Sequence, residues 1–125
     1  MEFFARVRVP AGPESLQDRL TVASLPQWCA SIDSVLEHSG DHGRIYCVWG
    51  EFAVERALIR GGVRFTLPGC PNALAWTVTA GLPPDPDSVV IHCTINREEQ
   101  DPDFVETLET FVTDWRQAVA GAVWA

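Results

Sequence analysis

The strongest constraint on this chain lies near its C-terminal end. Phe104, Leu108, Phe111, Val112, Trp115 and Val119 recur at i, i+4, i+7, i+8, i+11 and i+15, the spacing of one apolar helix face. Asp101 suits an N-cap and Pro102 the first helical position. Asp103 and Glu106 complement the positive end of the helix dipole, and Gly121 can end the helix. The spacing predicts a helix of about 18–20 residues, roughly 30 Å long at about 1.5 Å per residue. A helix that long, apolar on one face, needs a broad apolar surface to lie on.

Upstream, the chain supplies strands. Phe3, Ala5, Val7 and Val9 alternate with Phe4, Arg6 and Arg8, a half-buried strand ending at Pro10. Residues 14–23 read as a short helix with Leu16 and Leu20 facing inward. Ser24-Leu25-Pro26-Gln27 fits a capping box, and Trp28, Cys29, Ile32, Val35 and Leu36 follow at helical spacing. A helix over about 25–38 is the favoured reading; a strand over 31–38 is the alternative. Ile45, Cys47 and Trp49 share one parity, Phe52, Val54 and Leu58 the other. The slip at Gly50 fits a β-bulge in one long bent strand. Gly61-Gly62 marks a hairpin. Three more alternating runs follow: Val63/Phe65/Leu67, Leu74/Trp76/Val78 and Val89/Ile91/Cys93/Ile95, separated by Pro/Gly-rich loops at 68–72 and 81–88. The expected fold is α+β: a curved antiparallel sheet packed against the long C-terminal helix, with two short helices after the first strand, in a single domain over 1–125.

The run Val9-Pro10-Ala11-Gly12-Pro13-Glu14 to Leu20, followed by Leu25-Pro26-Gln27-Trp28, resembles the start of the START-like, or helix-grip, superfamily. That superfamily includes polyketide cyclases and Hsp90-ATPase-activator-like domains. The order of elements is similar over nearly the whole chain. The resemblance implies a sheet curved around a C-terminal helix, with a ligand cavity between them. It also implies six strands between the helix pair and the last helix, the first of them where the helix over 25–38 is read.

Charge excludes several functions. The 125 residues carry 17 acids and nine basic residues, all arginine, for a net charge of −8. Such an anion is repelled by nucleic acid and by anionic membranes, so neither is expected as a partner. Without lysine there is no Schiff-base lysine, P-loop lysine or Ser-Lys dyad. The acidity is local: residues 98–125 hold seven acids against Arg116 alone, while residues 1–97 hold ten acids and eight arginines. No apolar run approaches the roughly 20 residues that span a bilayer. Met1-Glu2-Phe3-Phe4 has no signal-peptide character. Cys29, Cys47, Cys70 and Cys93 show no C-x-x-C spacing, so they read as reduced thiols of a cytoplasmic protein.

Trp28, Trp49, Phe65, Trp76, Cys93, Phe111 and Trp115 fall on the faces expected to be buried. Apolar and aromatic walls are what a ligand pocket offers, and also what an ordinary core contains. These seven are the candidate ligand-binding residues, for a small apolar or aromatic ligand between sheet and helix. No catalytic constellation, metal set or cofactor motif emerges. His92 reads as a surface cross-strand neighbour, and Asp41-His42 as part of a solvated turn. Arg6, Arg8, Arg56, Arg60 and Arg64 read as a solvated sheet face paired with glutamates such as Glu55. The reading therefore leans away from an enzyme. The alternative is a protein-interaction module, or a homodimer, using the acidic helix or the arginine-bearing sheet.

Overall fold

The computed structural model describes residues 1–83 and 85–124. Strand β1 (Glu2–Val7) leads into helices α1 (Pro13–Arg19) and α2 (Leu25–Trp28). Six strands follow: β2 (Ile32–Ser39), β3 (His42–Cys47), β4 (Gly50–Ile59), β5 (Gly62–Thr66), β6 (Ala75–Ala80) and β7 (Val89–Thr94). Helix α3 (Pro102–Gly121) follows β7. The strands form one antiparallel sheet in the order β1-β7-β6-β5-β4-β3-β2. Strands β2 to β7 are thus a meander, and β1 closes onto its last strand. The loop 81–88 was expected; its Pro84 lies outside the described residues.

The C-terminal helix forms as its spacing requires. Asp101 accepts a hydrogen bond from the Asp103 amide at 2.8 Å, and Pro102 opens the first turn. Leu108, Phe111, Val112, Trp115 and Val119 are buried against the sheet. Helix α3 lies along β1 and β7 and touches α2.

The helix expected over 25–38 is corrected by the structure. Only Leu25–Trp28 is helical, and residues 32–39 are the edge strand β2. The pairing explains the misleading spacing. Ile32 opposes Cys47, Ser34 opposes Tyr46 and Val35 opposes Ile45, so the register shifts between residues 32 and 34. An extra residue in a strand turns the following side chains over. Ile32 and Val35, three apart, therefore face the same side, as they would on a helix. With β2 a strand, six strands separate the helix pair from α3.

The single bent strand expected over 45–58 is likewise two strands. Cys47 pairs with Gly50, and Val48-Trp49 is the turn between them. Cross-strand partners share a face, so a two-residue turn exchanges odd for even parity. Gly50 takes φ +112°, which glycine adopts without a Cβ clash. The next hairpin turns at Arg60-Gly61, one residue earlier than Gly61-Gly62, because Ile59 pairs with Gly62. Gly62 is needed for a different reason: a Cβ there would drive into the Val78 carbonyl oxygen on β6.

Arg56 departs from the solvated face assigned to it. It opposes Phe65 across β4–β5 and so points to the interior. Its guanidinium donates to the Leu20 carbonyl at 2.6 Å, to the Gln17 carbonyl and to Asp41 Oδ1 at 3.0 Å. It ties the end of α1 and the β2–β3 turn to the sheet. Of the arginines assigned to that face, Arg6 sits in an exposed ion pair, with Asp85, while Glu55 pairs with His42 rather than with an arginine; Arg44, outside that set, pairs with Glu37.

Candidate functional site

Between the middle of the sheet and α3 the space is filled. Phe65 on β5, Trp76 on β6, and Phe111 and Trp115 on α3 are all essentially inaccessible. Trp76 lies 5.3 Å from Phe65, 4.9 Å from Phe111 and 6.3 Å from Trp115, centroid to centroid. These distances are those of favourable aromatic packing. Cys93 belongs to the same buried cluster, and burial pushes its thiol up to about 12. Burial likewise raises Cys29 to about 12, and raises Cys47. A thiol held neutral in this way is a packing group, not a nucleophile.

Open volume lies at one end of this layer. A cleft of about 310 Å³ opens where the β3–β4 turn, the β5–β6 loop and the start of α3 meet. That volume is within the range of about 300–1,000 Å³ usual for ligand sites. Trp49, Phe52 and Phe104 form its aromatic walls, and Leu67 and Leu74 lie deeper. Cys70, Pro71 and Asn72 line its loop side. Trp49 is held in place by donating its indole N–H to Thr107 Oγ1 at 2.8 Å. Its ring meets Phe104 at 6.0 Å and Phe111 at 5.2 Å. Asn72 accepts from Gln100 Nε2 at 2.9 Å, and its carbonyl accepts from the Asn96 amide at 2.9 Å. The next residue, Ala73, has φ +49°, a left-handed backbone that a non-glycine residue adopts at a cost of about 1–2 kcal/mol. Such strain is found most often beside functional sites.

Of the seven residues expected at a site, Trp49 lines the cleft. Phe65, Trp76, Cys93, Phe111 and Trp115 pack beneath and beyond it as one layer. Trp28 lies elsewhere, stacked on Trp124 at 5.4 Å, with the Arg19 guanidinium 4.3 Å from the Trp124 ring. Sequence reasoning passed over Phe52, Leu74 and Phe104 as lining residues, although each sat on a recognised apolar face. Only their meeting at one end of the molecule distinguishes them. A hollow of similar size at the β2–β3 turn, about 360 Å³, is lined by exposed Glu37, His38, Ser39 and His42 and has no apolar wall.

The tryptophans divide by their hydrogen bonds. Trp28, Trp49 and Trp124 donate to the Arg19 carbonyl, Thr107 Oγ1 and the Val119 carbonyl at 3.3, 2.8 and 2.9 Å. Trp76 Nε1 and Trp115 Nε1, buried in the layer, have no acceptor among the described residues. An unpartnered buried donor costs about 1–3 kcal/mol.

His92 stacks on Phe4 with centroids 4.3 Å apart and meets Glu2 Oε1 at 3.0 Å, on the opposite face of the sheet. His42 faces Glu55 at 3.8 Å on the exposed hairpin. Among the described residues no cluster of three or more His, Cys, Asp or Glu could hold a metal ion. Nor is any described helix long and apolar enough to cross a membrane.

No family model matches the chain, and no curated protein matches it. Solved structures do. An uncharacterised protein from Bacillus thuringiensis superposes with a TM-score of 0.59 at 11% identity, over 94% of this chain and 98% of the other. The protein XoxI from Bacillus cereus superposes with a TM-score of 0.58 at 14% identity, over 94% of each chain. At these identities the likeness establishes a shared fold.

Proposed function

We propose that this protein binds a small apolar or aromatic molecule in the cleft beside Trp49, without catalysing a reaction on it. One observation carries the reading. Three aromatic walls and two leucines converge on open space at the end of an otherwise filled layer, with Asn72 the polar side chain on the rim. Burial of about 25 cal/mol per Å² of apolar ligand surface is the driving force such walls supply. The helix-grip resemblance, in which a ligand lies between sheet and last helix, supports the same placement. Four free thiols support a reducing, cytoplasmic setting.

The test is titration with N-phenyl-1-naphthylamine, an uncharged aromatic probe whose emission rises in apolar surroundings. Saturable one-to-one binding is expected. Trp49→Ala should weaken it at least about tenfold, the equivalent of about 1.4 kcal/mol. Leu58→Ala, on an exposed strand position, should leave it unchanged. Absence of saturable binding, or equal binding by Trp49→Ala, overturns the reading.

A second reading draws on charge. Among the described residues none of the carboxylates Glu98, Glu99, Asp101, Asp103, Glu106 and Glu109 forms an ion pair. A basic protein surface, including the arginine-bearing sheet of a second copy, complements that stripe. Sedimentation at about 20 mM and 500 mM salt tests it, since exposed charges are screened beyond about 4 Å at the higher value. Association confined to low salt supports the reading, and a strict monomer at low salt that captures no basic partner removes it.

A further inference from the structure

We infer that the outer face of the sheet carries a second binding site, for one planar, uncharged nitrogen heterocycle such as a free nucleobase. The site is a hollow of about 200 Å³ on the face turned away from α3, over strands β1, β7 and β6. Strand pairing aligns its floor. Phe4, His92 and Thr77 are successive partners across β1, β7 and β6, and Val90 and Thr79 form the next row. The β6–β7 loop supplies the facing wall through Leu82. That wall is held in place. Leu82 packs so close to the β4–β5 turn that a Cβ on Gly61 would meet its Cδ1 at 2.7 Å. Farther along the loop, Asp85 accepts from Ser88 Oγ at 2.7 Å and pairs with Arg6 on β1 at 3.7 Å.

His92 presents a flat face to this hollow. Its ring stacks on Phe4 with centroids 4.3 Å apart and planes 3° from parallel. A ring stacked on its β1 neighbour turns its other face toward β6, where Thr77 and the hollow lie. Glu2 Oε1 meets His92 Nε2 at 3.0 Å and fixes the rotation of the ring. A ligand ring on the open face becomes the third member of that stack. Around the hollow, hydrogen bonds run from Ser88 to Asp85 and between His92 and Glu2; among the described residues the Thr77 and Thr79 hydroxyls have none. A hydroxyl both donates and accepts, so it can meet either kind of group on the edge of a nitrogen heterocycle. A hydrocarbon ring would strand those hydroxyls, and a saturated ring has no π face. The lining holds no carboxylate or guanidinium, and Arg6 beside it is already paired, so no charge on the ligand is called for. The volume, about 200 Å³, falls below the roughly 300 Å³ at which drug-sized sites begin, which suits a molecule of one or two rings. An uncharged base also escapes the repulsion that excludes nucleic acid.

Adenine is the probe, followed in ¹H–¹³C and ¹H–¹⁵N spectra of the unmodified protein. The His92 ring signals and the Thr77 and Thr79 methyl signals should shift together and saturate, with a Kd of about 1 mM or tighter, as suits so small a ligand. The Trp49 indole signal should stay in place, which separates this site from the cleft. His92→Leu removes the stacking face and should weaken adenine at least about fivefold. Thr77→Val and Thr79→Val keep the side-chain shape without the hydroxyl, and each should weaken it about two- to fivefold. The spectra of the unmodified protein decide the matter even if a variant fails to fold. Shifts that never saturate, saturable shifts at Trp49 alone, or equal binding by His92→Leu overturn the inference. Each of these outcomes leaves the naphthylamine titration of the cleft unaffected, so the two readings stand or fall separately.

Discussion

Arg56 lies between Val54 and Leu58 along one face of β4, and its side chain is only 9% exposed. A guanidinium is tolerated there because it reaches two backbone carbonyls left open where α1 ends, plus Asp41. Charged hydrogen bonds of this kind contribute about 1.5–3 kcal/mol. Arg56→Ala should therefore lower the unfolding free energy by about 2–3 kcal/mol in urea titration, with Arg56→Lys recovering part of it. Arg64→Ala, on the exposed face, should stay within about 0.5 kcal/mol. Equal losses would show that the interior contacts of Arg56 contribute nothing. Parity alone already placed Arg56 beside Val54. The expectation that arginine seeks water outweighed it, because the carbonyls that satisfy Arg56 come from residues 36 and 39 positions away.

At the scale of elements, the periodic segments were legible and the irregular ones were not. Helix α3 and strands β5, β6 and β7 follow their spacing closely. Strand β2 and the β3–β4 hairpin hide theirs, one through bulges and one through a two-residue turn, since each shifts the period by one residue. Glycine marks where backbones approach. Gly62→Ala should loosen β5 from β6 and cost about 1–3 kcal/mol or more, as overpacking does. Gly69 faces open space at an ordinary φ, so Gly69→Ala should be neutral or slightly stabilising. Thermal melts of the pair check this, and a neutral Gly62→Ala would contradict the close approach.

For the molecule as a whole, the buried thiols set an alkaline limit. An unfolded cysteine titrates near 9.0, whereas burial holds Cys29 and Cys93 near 12 and raises Cys47. Below pH 9 these thiols are protonated in both states, so their contribution to stability is fully present. Above it the unfolded chain releases protons that the folded chain keeps, and stability falls as pH rises toward 12. Urea midpoints should decline across that window, and Cys93→Ala should flatten the decline. At pH 8 in native buffer a thiol reagent should modify Cys70 rapidly, and the other three only after unfolding. Rapid reaction of all four would show a looser core than the packing described.

The sequence by itself determined the α+β class, the long capped helix, most of the strands, the acidic C-terminal stripe and the set of apolar residues that face inward. These follow from periodicity and local backbone chemistry, which act over a few residues. Only the tertiary structure decided that residues 32–39 pair as an edge strand, that Arg56 turns inward, and that five of the expected site residues fill the layer while Trp49 alone lines the open cleft. It also isolated the two indole donors. Those outcomes depend on groups brought together from distant parts of the chain, and one strand's spacing cannot say whether its apolar face meets another side chain or empty space.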